Sequence, residues 1–505
     1  MDGGAETVRK QLFFFTALEN LPIPIKAMKV RFFAVCAATL LCSACLPLFA
    51  EYNRLNVPDS AEIRAGLVSR WFTAPLEQVR ETRSELHENN IGMTFQVRME
   101  ETSAHFAIIV APAVEQQVDV YTEKGIEHRT SEAYPGDACG SWVLFRDSAS
   151  GQPISLVWYI TQNNDVYVRF TTDRNTARAD FIIDGCMASR GVPTGIPFEK
   201  LYTLSLAGLL RLTGNTLPWQ YADIQPGQYH DSLQMIGVIR KNLERIVPTP
   251  DAAYDENGKP VKISDGKSRT VTDEELQGHT LSLSDAGFVK WIIDGLVEPL
   301  TGSGTYLSPL VRSTVDLHPV SYAGIVNSGR NDIEGEATYF MLDWNRNLSA
   351  ARLSAQTKKT YLYNNSGMDV TVEPFNGVLS LRAQSSAGER AVAAPEVAQV
   401  VGFVENSGYQ IARLRALLYT LAVTQPTYCY LAAVRRLYPA SGKTPEIYKF
   451  DHTAIIFPYF TPQGIFRCVV FEDGKEIGFS EFVTKYKNSF VYLSRVLASR
   501  NFYPQ

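Results

Sequence analysis

The sequence is poor in the residues that build metal and thiol centres. It contains only seven cysteines and seven histidines among 505 residues. Beyond residue 50 it has no CxxC pair, and it has neither an HExxH motif nor a His-rich cluster. Such spacings bring together the ligands of structural and catalytic zinc sites. We therefore expect no metal site and no cofactor.

The sequence also lacks an excess of positive charge. The formal net charge is −5, and charged residues make up 20% of the chain, so nothing favours nucleic acid as a partner. Neither a glycine-rich phosphate loop nor a serine nucleophile elbow is present, which argues against two common enzyme classes. With 45% hydrophobic residues, the composition is that of a globular protein long enough for several cores.

One long hydrophobic run stands near the N-terminus. Residues 32–50 carry no charge and end in Ala50, and Lys29 and Arg31 precede them directly after Met28. This order is typical of a secretory signal peptide. We expect translation to begin at Met28, which makes residues 1–27 a misannotated leader. An uncleaved membrane anchor is the alternative, because the run is just long enough to span a bilayer.

Lipidation is a third way to attach this segment to a membrane. Residues 41–45 resemble a bacterial lipobox, in which Ala44 precedes the acceptor Cys45. Acyl chains on Cys45 would hold the protein at a membrane surface. All three alternatives place the body of the chain outside the cytoplasm, in the periplasm or anchored to a membrane of a bacterial envelope.

The cysteine count fits an oxidising compartment. Three of the seven cysteines lie in the signal region, which leaves Cys139, Cys186, Cys429 and Cys468. An even number can pair in such a compartment. Proximity in sequence favours a disulfide between Cys139 and Cys186, with Cys429 and Cys468 as the complementary pair. The alternative is that all four are small buried hydrophobic side chains.

Periodicity predicts an α+β protein. Between residues 92 and 190, short runs alternate between apolar and polar positions and are separated by turn signals, which indicates an antiparallel β-sandwich. Helical spacing dominates before and after it. The boundaries that we predict are a leader at 1–27, a signal peptide or anchor at 28–50, entry helices at 51–91, a β-sandwich-like domain at 92–190, a helical connector at 191–247, a linker at 248–280 and an α+β domain with an antiparallel sheet at 281–505.

Residues 282–295 carry the pattern around which the C-terminal domain is organised. Ser284 or Asp285 can cap a helix whose apolar residues fall on one face, and Gly295 is expected to end it. Further along, residues 410–423 and 428–437 are predicted helices. The segments 452–457 and 465–472 are predicted strands of one hairpin.

The start of this helix resembles that of the NlpC-type cysteine peptidases. These are papain-like enzymes of bacterial envelopes that cut the stem peptides of peptidoglycan, and their nucleophile opens a helix as Asp-Cys-Ser-Gly-(Phe/Leu)-Val. Gly287, Phe288 and Val289 match this pattern. Asp285 stands at the position of the cysteine, and Ala286 replaces the serine. The resemblance therefore implies a degenerate nucleophile position.

The downstream strands extend the resemblance. In these peptidases the catalytic histidine begins a strand, and the next strand of the hairpin supplies a third polar residue. His452 begins one predicted strand, and residues 465–472 form its partner. An alternative nucleophile is Cys429, which would lie in the first turn of the predicted helix 428–437. A helix N-terminus lowers the pKa of a thiol, so Cys429 and His452 are the catalytic candidates.

Three functions remain open on the sequence alone. The one that we predict is a non-catalytic envelope protein that binds a cell-wall component, such as peptidoglycan, or an envelope protein through a degenerate peptidase-like domain. The first alternative is an active cysteine hydrolase of peptidoglycan peptides that uses Cys429 and His452. The second is a purely structural lipoprotein, in which the helix at 282–295 and the His452 strand share no site.

Overall fold

An antiparallel sheet, a helical middle and a second antiparallel sheet follow one another along the chain, which confirms the α+β class. The computed structural model describes residues 55–101, 105–122, 125–278, 280–315, 338–379, 401–439 and 447–505. The predictions about the leader 1–27, the signal segment 28–50 and the lipid acceptor Cys45 lie outside the described residues.

In the described part of the chain, two short helices precede the first sheet. They are α1 (Ala61–Leu67) and α2 (Leu76–Glu81), and the π-helical turn Val68–Phe72 continues α1. The ring of Phe72 packs 4.9 Å from that of Trp142 in the sheet. The entry helices are thus anchored to the sheet by buried aromatic side chains.

The first sheet has nine strands in the order β1-β2-β3-β6-β7-β8-β9-β10-β15, and β4 and β5 form a separate hairpin. Their bounds are β1 (Glu85–Glu88), β2 (Thr94–Glu101), β3 (His105–Pro112), β4 (Val114–Thr122), β5 (Gly125–Ala133), β6 (Trp142–Asp147), β7 (Pro153–Tyr159), β8 (Val166–Asp173), β9 (Thr176–Ile183), β10 (Cys186–Pro193) and β15 (Gly377–Val378). In β8, buried Val166, Val168 and Phe170 alternate with more exposed residues. This alternation with a period of two agrees with the pattern in the sequence. Except for β4 and β5, the strands belong to a single sheet.

Helices and short strands connect the two sheets. They are the 3₁₀ turn Phe198–Tyr202, α3 (Leu206–Thr213), α4 (His230–Asn242), β11 (Ile246–Pro248), β12 (Ala252–Tyr254), β13 (Pro260–Lys262), α5 (Asp273–Gly278) and β14 (Leu281–Leu283). Although residues 248–280 have the composition of a linker, Ala252, Ala253 and Val261 are buried. Part of this segment is therefore integrated into the core.

The helix that the sequence predicts at residues 282–295 is longer than predicted. It is α6 (Asp285–Thr301), and Gly302 with φ of +81° ends it in place of Gly295. Gly295 lies inside the helix because the C-terminal residues approach it closely: a Cβ there would lie 2.8 Å from the ring of Phe502. The next helices among the described residues are α7 (Leu307–Leu310), α8 (Phe340–Thr357) and α9 (Tyr363–Ser366).

The second sheet has six strands in the order β16-β21-β17-β18-β19-β20. Its elements are β16 (Tyr409–Gln410), α10 (Leu414–Thr424), β17 (Tyr428–Tyr438), β18 (Ile447–Phe460), β19 (Phe466–Glu472), β20 (Lys475–Ile477), α11 (Phe479–Lys485) and β21 (Phe490–Leu497). The predicted helix at 428–437 is wrong, since this segment is β17. Its Leu, Ala and Arg residues favour a helix, but hydrogen bonding to β18 and β21 on both sides overrides that local preference.

The second sheet is covered on both faces. One buried cluster joins it to the first sheet and includes Trp158, Tyr430 and Leu417. A second cluster includes Phe288 of α6 and Phe457 of β18. The sheet thus has helix α6 packed against one face, with the N-terminus of α6 beside β18. Of the described helices, none combines the length and the apolar character that crossing a bilayer requires.

Candidate functional site: the His452 triad

The N-terminus of α6 is fixed by β12. Ser284 has an extended conformation, and its Oγ accepts a hydrogen bond from the Gly287 amide at 3.1 Å while donating one to the Ala252 carbonyl at 3.0 Å. A Cβ on Gly287 would lie 2.1 Å from that carbonyl oxygen, so only glycine fits here. Asp285 therefore becomes the first residue of the helix, where the macrodipole favours a negative charge.

Strand β18 brings His452 to this helix end. His452 Nδ1 lies 2.7 Å from Asp285 Oδ2. The amide of Thr453 donates to the same oxygen at 2.8 Å. The degenerate nucleophile position and the histidine, which lie far apart in the sequence, are thus in direct contact.

A second carboxylate contacts the other ring nitrogen of His452. Glu472, the last residue of β19, has Oε1 2.8 Å from His452 Nε2, because β19 pairs with β18 so that Glu472 lies opposite Ala454. Glu472 Oε1 also contacts Lys485 Nζ and accepts a hydrogen bond from the Tyr486 hydroxyl at 2.8 Å. We call Asp285, His452 and Glu472 the His452 triad.

Sequence reasoning expected a third polar residue from this strand but did not single out Glu472. The signal was present: Glu472 follows a run of apolar residues at the end of a predicted strand. An acid that terminates a buried strand next to a histidine strand is a natural candidate for a partner. The side chain of Glu472 is only 2% exposed, which is rare for an unpaired glutamate.

The pKa values follow from burial and pairing. Burial lowers the pKa of His452, but hydrogen bonds and charge interactions with Asp285 and Glu472 outweigh this and raise it to about 9. Burial raises the pKa of Glu472, but His452, Lys485 and Tyr486 bring it down to about 2. For Asp285, burial is the largest effect, and its pKa is raised. His452 therefore carries a positive charge at neutral pH.

This arrangement has no free base and no nucleophile. A general base needs one ring nitrogen directed at the group that it deprotonates, whereas both nitrogens of His452 contact carboxylates. A carboxylate does not replace a thiolate in acyl transfer to a peptide. Among the described residues, no group of three or more His, Cys, Asp or Glu side chains is arranged to hold a metal ion.

Helix α8 supplies a buried polar neighbour. The Thr453 hydroxyl donates to Asn345 Oδ1 at 2.9 Å, and Asn345 is 1% exposed. Within the described part of the chain, four buried atoms of this region lack hydrogen-bond partners, namely Asp285 Oδ1, Asn345 Nδ2, Glu472 Oε2 and His452 Nε2, the last although it lies 2.8 Å from Glu472 Oε1. Asp285 and Asn345 both contact Thr453, and their unsatisfied atoms are an acceptor and a donor. An unsatisfied pair of this kind is costly unless a ligand or water completes it.

The structure does not bring Cys429 to His452. Cys429 lies in the central strand β17, is fully buried, and its thiol contacts the Val496 carbonyl at 3.5 Å. The residue of β17 that pairs with His452 is Val434, which lies about 17 Å along the strand from Cys429. Burial raises the pKa of Cys429 to about 12, so its thiol stays protonated at neutral pH.

The predicted disulfide between Cys139 and Cys186 is wrong. Both are free thiols, as are Cys429 and Cys468. Cys186 opens β10, whereas Cys139 lies in the loop before β6, so proximity in sequence did not become proximity in space. Burial raises the pKa of Cys139 to about 12 and that of Cys186 to about 11. The alternative, small side chains in or beside the core, describes all four.

Comparison with known proteins gives one match. Residues 53–221 match a family described as a domain of unknown function (DUF8515). No curated protein and no solved structure matches the chain. The matched segment covers α1, α2, the strands β1 to β10 and α3, and it ends before α4. It contains no residue of the His452 triad.

Proposed function

We propose that this chain is a non-catalytic binding protein of the bacterial envelope, which recognises a peptide of the cell wall or of an envelope partner at a degenerate peptidase-like site. The observation that carries the proposal is the His452 triad. The NlpC resemblance leads us to expect a helix N-terminus, a strand histidine and a polar residue on the next strand, and the contacts of Asp285, His452 and Glu472 support the proposal. Asp285 replaces the thiol, and Glu472 takes the remaining ring nitrogen.

The unsatisfied atoms beside the triad favour a peptide as the ligand. A peptide group offers one N–H donor and one C=O acceptor. Asp285 Oδ1 is a buried acceptor and Asn345 Nδ2 a buried donor, each without a partner among the described residues. A bound peptide group that reached both would complete their hydrogen bonds. Because no thiolate and no free base are present, binding at this site would not lead to hydrolysis.

The envelope location rests on the signal segment at residues 28–50. Its charge pattern favours export, followed by cleavage, retention as an anchor or lipidation at Cys45. Fractionation of cells that produce the full-length chain tests this. We expect the protein in the periplasmic or membrane fraction, and recovery in the cytosol would contradict the assignment.

Cosedimentation with purified peptidoglycan tests the binding function. The full-length chain is mixed with bacterial sacculi, and both the pelleted protein and the released stem-peptide fragments are measured. We expect protein in the pellet and no fragments above background. Asp285→Asn changes the acceptor beside Asn345 and is expected to reduce the pelleted fraction. Glu298→Gln makes the same change of charge near the other end of α6 and serves as the matched control.

Three results would contradict the proposal. Release of stem peptides by the wild-type chain would show a hydrolase. Absence from the pellet would remove the cell wall as the ligand, and equal binding by Asp285→Asn and Glu298→Gln would remove the triad as the binding site. Circular dichroism of both variants confirms that the fold is intact before binding is compared.

A further inference from the structure

A cavity of about 380 Å³ lies away from the His452 triad, among the start of α4, the helix α8 and residues 497–499. Its volume is at the lower end of the range for small-molecule sites. None of the residues that line it belongs to the triad. The function proposed for the triad therefore does not account for this cavity.

Arg352 of α8 is the charged group in the wall of this cavity. It is 2% exposed, and Nη1 donates to Gln356 Oε1 at 2.9 Å. Its Nε is buried without a partner, and no carboxylate of the described residues forms an ion pair with it. Burial lowers the pKa of Arg352, but an arginine keeps its charge in proteins. A buried cation without a counter-ion is unfavourable unless a ligand supplies one.

Another arginine of α8, Arg346, has the counter-ion that Arg352 lacks. Arg346 is 6% exposed, and its Nε lies 3.1 Å from Asp369 Oδ2. It also donates to the Tyr492 hydroxyl at 2.7 Å. The fold thus provides a counter-ion for Arg346 and leaves Arg352 without one.

The N-terminus of α4 lines the same cavity. His230, Asp231 and Ser232 form its first turn, and no side chain caps this 13-residue helix. Amides in a first helical turn have no partner within the helix, and they attract oxyanions. Asp231 adds a negative charge to the wall, and Arg500 Nε lies 3.8 Å from its carboxylate.

We propose that this cavity binds the oxyanion of a small ligand, a carboxylate or a phosphate, with Arg352 as its charged anchor. The fork of the guanidinium matches the two oxygens of either group. Gln356, the first turn of α4 and the Thr427 hydroxyl provide further polar groups around it. The inference does not depend on the function proposed for the triad.

Titration of the full-length chain with two probes tests the proposal. Inorganic phosphate and N-acetylalanine are compared by calorimetry and by thermal unfolding, at an ionic strength held constant with chloride. We expect one probe to bind and to raise the unfolding temperature. The probe that binds tells a phosphate ligand from a carboxylate ligand. Arg352→Met is expected to weaken that binding at least about tenfold.

Two further variants keep the test decisive. Arg352→Lys retains the charge but not the planar fork, so its affinity should fall between those of the wild type and Arg352→Met. Arg312→Met removes an exposed arginine outside the cavity lining and should leave binding unchanged. Binding of neither probe, or equal affinity of the wild type and both Arg352 variants, would overturn the proposal.

Discussion

Replacing Asp285 with cysteine tests whether the triad has the geometry of a thiol–imidazole site. The new sulfur would stand at the first position of α6, beside His452, whose imidazolium is then favoured by Glu472 and by the thiolate itself in place of Asp285. Two unit charges about 4 Å apart interact by about 4 kcal/mol at an effective dielectric constant of roughly 20. This corresponds to about three pKa units in favour of the thiolate. The helix N-terminus acts in the same direction, and burial opposes both.

We therefore expect the thiol of Asp285→Cys to have a pKa below about 7.5, against about 8.5 for a free cysteine. Ultraviolet absorption of the thiolate measures it without requiring a reagent to enter the site. The background from the four described cysteines is low at neutral pH, because burial raises the pKa of each of these thiols.

Two comparisons make this result specific. Asp285→Ala has no added thiol and gives the background spectrum. Adding His452→Gln to Asp285→Cys removes the imidazolium, so the thiol pKa should rise above about 8.5. A pKa at or above about 8.5 in Asp285→Cys itself would refute the reasoning, since the histidine would then not act on the position that the cysteine occupies.

Three further predictions concern charges. Because the pKa of His452 is raised to about 9 from the ordinary histidine value of about 6.5, its contribution of roughly 3 kcal/mol to stability should be complete below pH 6.5 and lost as the pH rises through about 9; urea unfolding of His452→Gln should lack this loss, and a parallel loss would contradict it. Glu472→Gln should lower the pKa of His452 by about one unit or more in an NMR titration, and an unchanged value would contradict the pairing. Arg346→Met should cost about 3 kcal/mol or more because it leaves Asp369 unpaired, whereas Arg352→Met should change the free energy of unfolding by less than about 1 kcal/mol; equal costs in urea unfolding would contradict the contrast.

Local patterns predicted the elements that position the triad. The N-cap signal at Ser284 or Asp285 and the apolar spacing gave the start of α6 to within one residue, and the strand pattern gave the strands that carry His452 and Glu472. These signals are local, since a cap and a strand period depend on neighbouring residues. The resemblance to the peptidases then related Asp285 to His452, although far more chain separates these two residues than separates the nucleophile and the histidine in the peptidases. Their contact in space could not follow from periodicity.

Long-range packing decided what the sequence left open or misassigned. The sequence of β17 predicts a helix because its residues favour one. The segment forms a strand because it pairs with β18 and β21 on its two sides. That error placed Cys429 at a helix N-terminus, where a thiolate would be stabilised, whereas the strand buries it. Packing also decides the burial of Asn345 and Arg346, two polar residues of α8 that the structure buries.

Arg352 had no signal that sequence reasoning could use. It stands among small and apolar residues of α8, as do many arginines whose heads reach solvent. Arg352 matters because it lacks a counter-ion among the described residues. No described carboxylate reaches it, and this is a property of the folded chain rather than of any motif.

The central claim is that both ring nitrogens of His452 are held by carboxylates, which leaves the site without a base. The most direct measurement is the ¹⁵N NMR titration of this ring in the full-length protein. The account predicts that both nitrogens are protonated at neutral pH and that the ring loses a proton only near pH 9. A neutral ring at pH 7, with one nitrogen unprotonated, would contradict it and would make His452 available for catalysis.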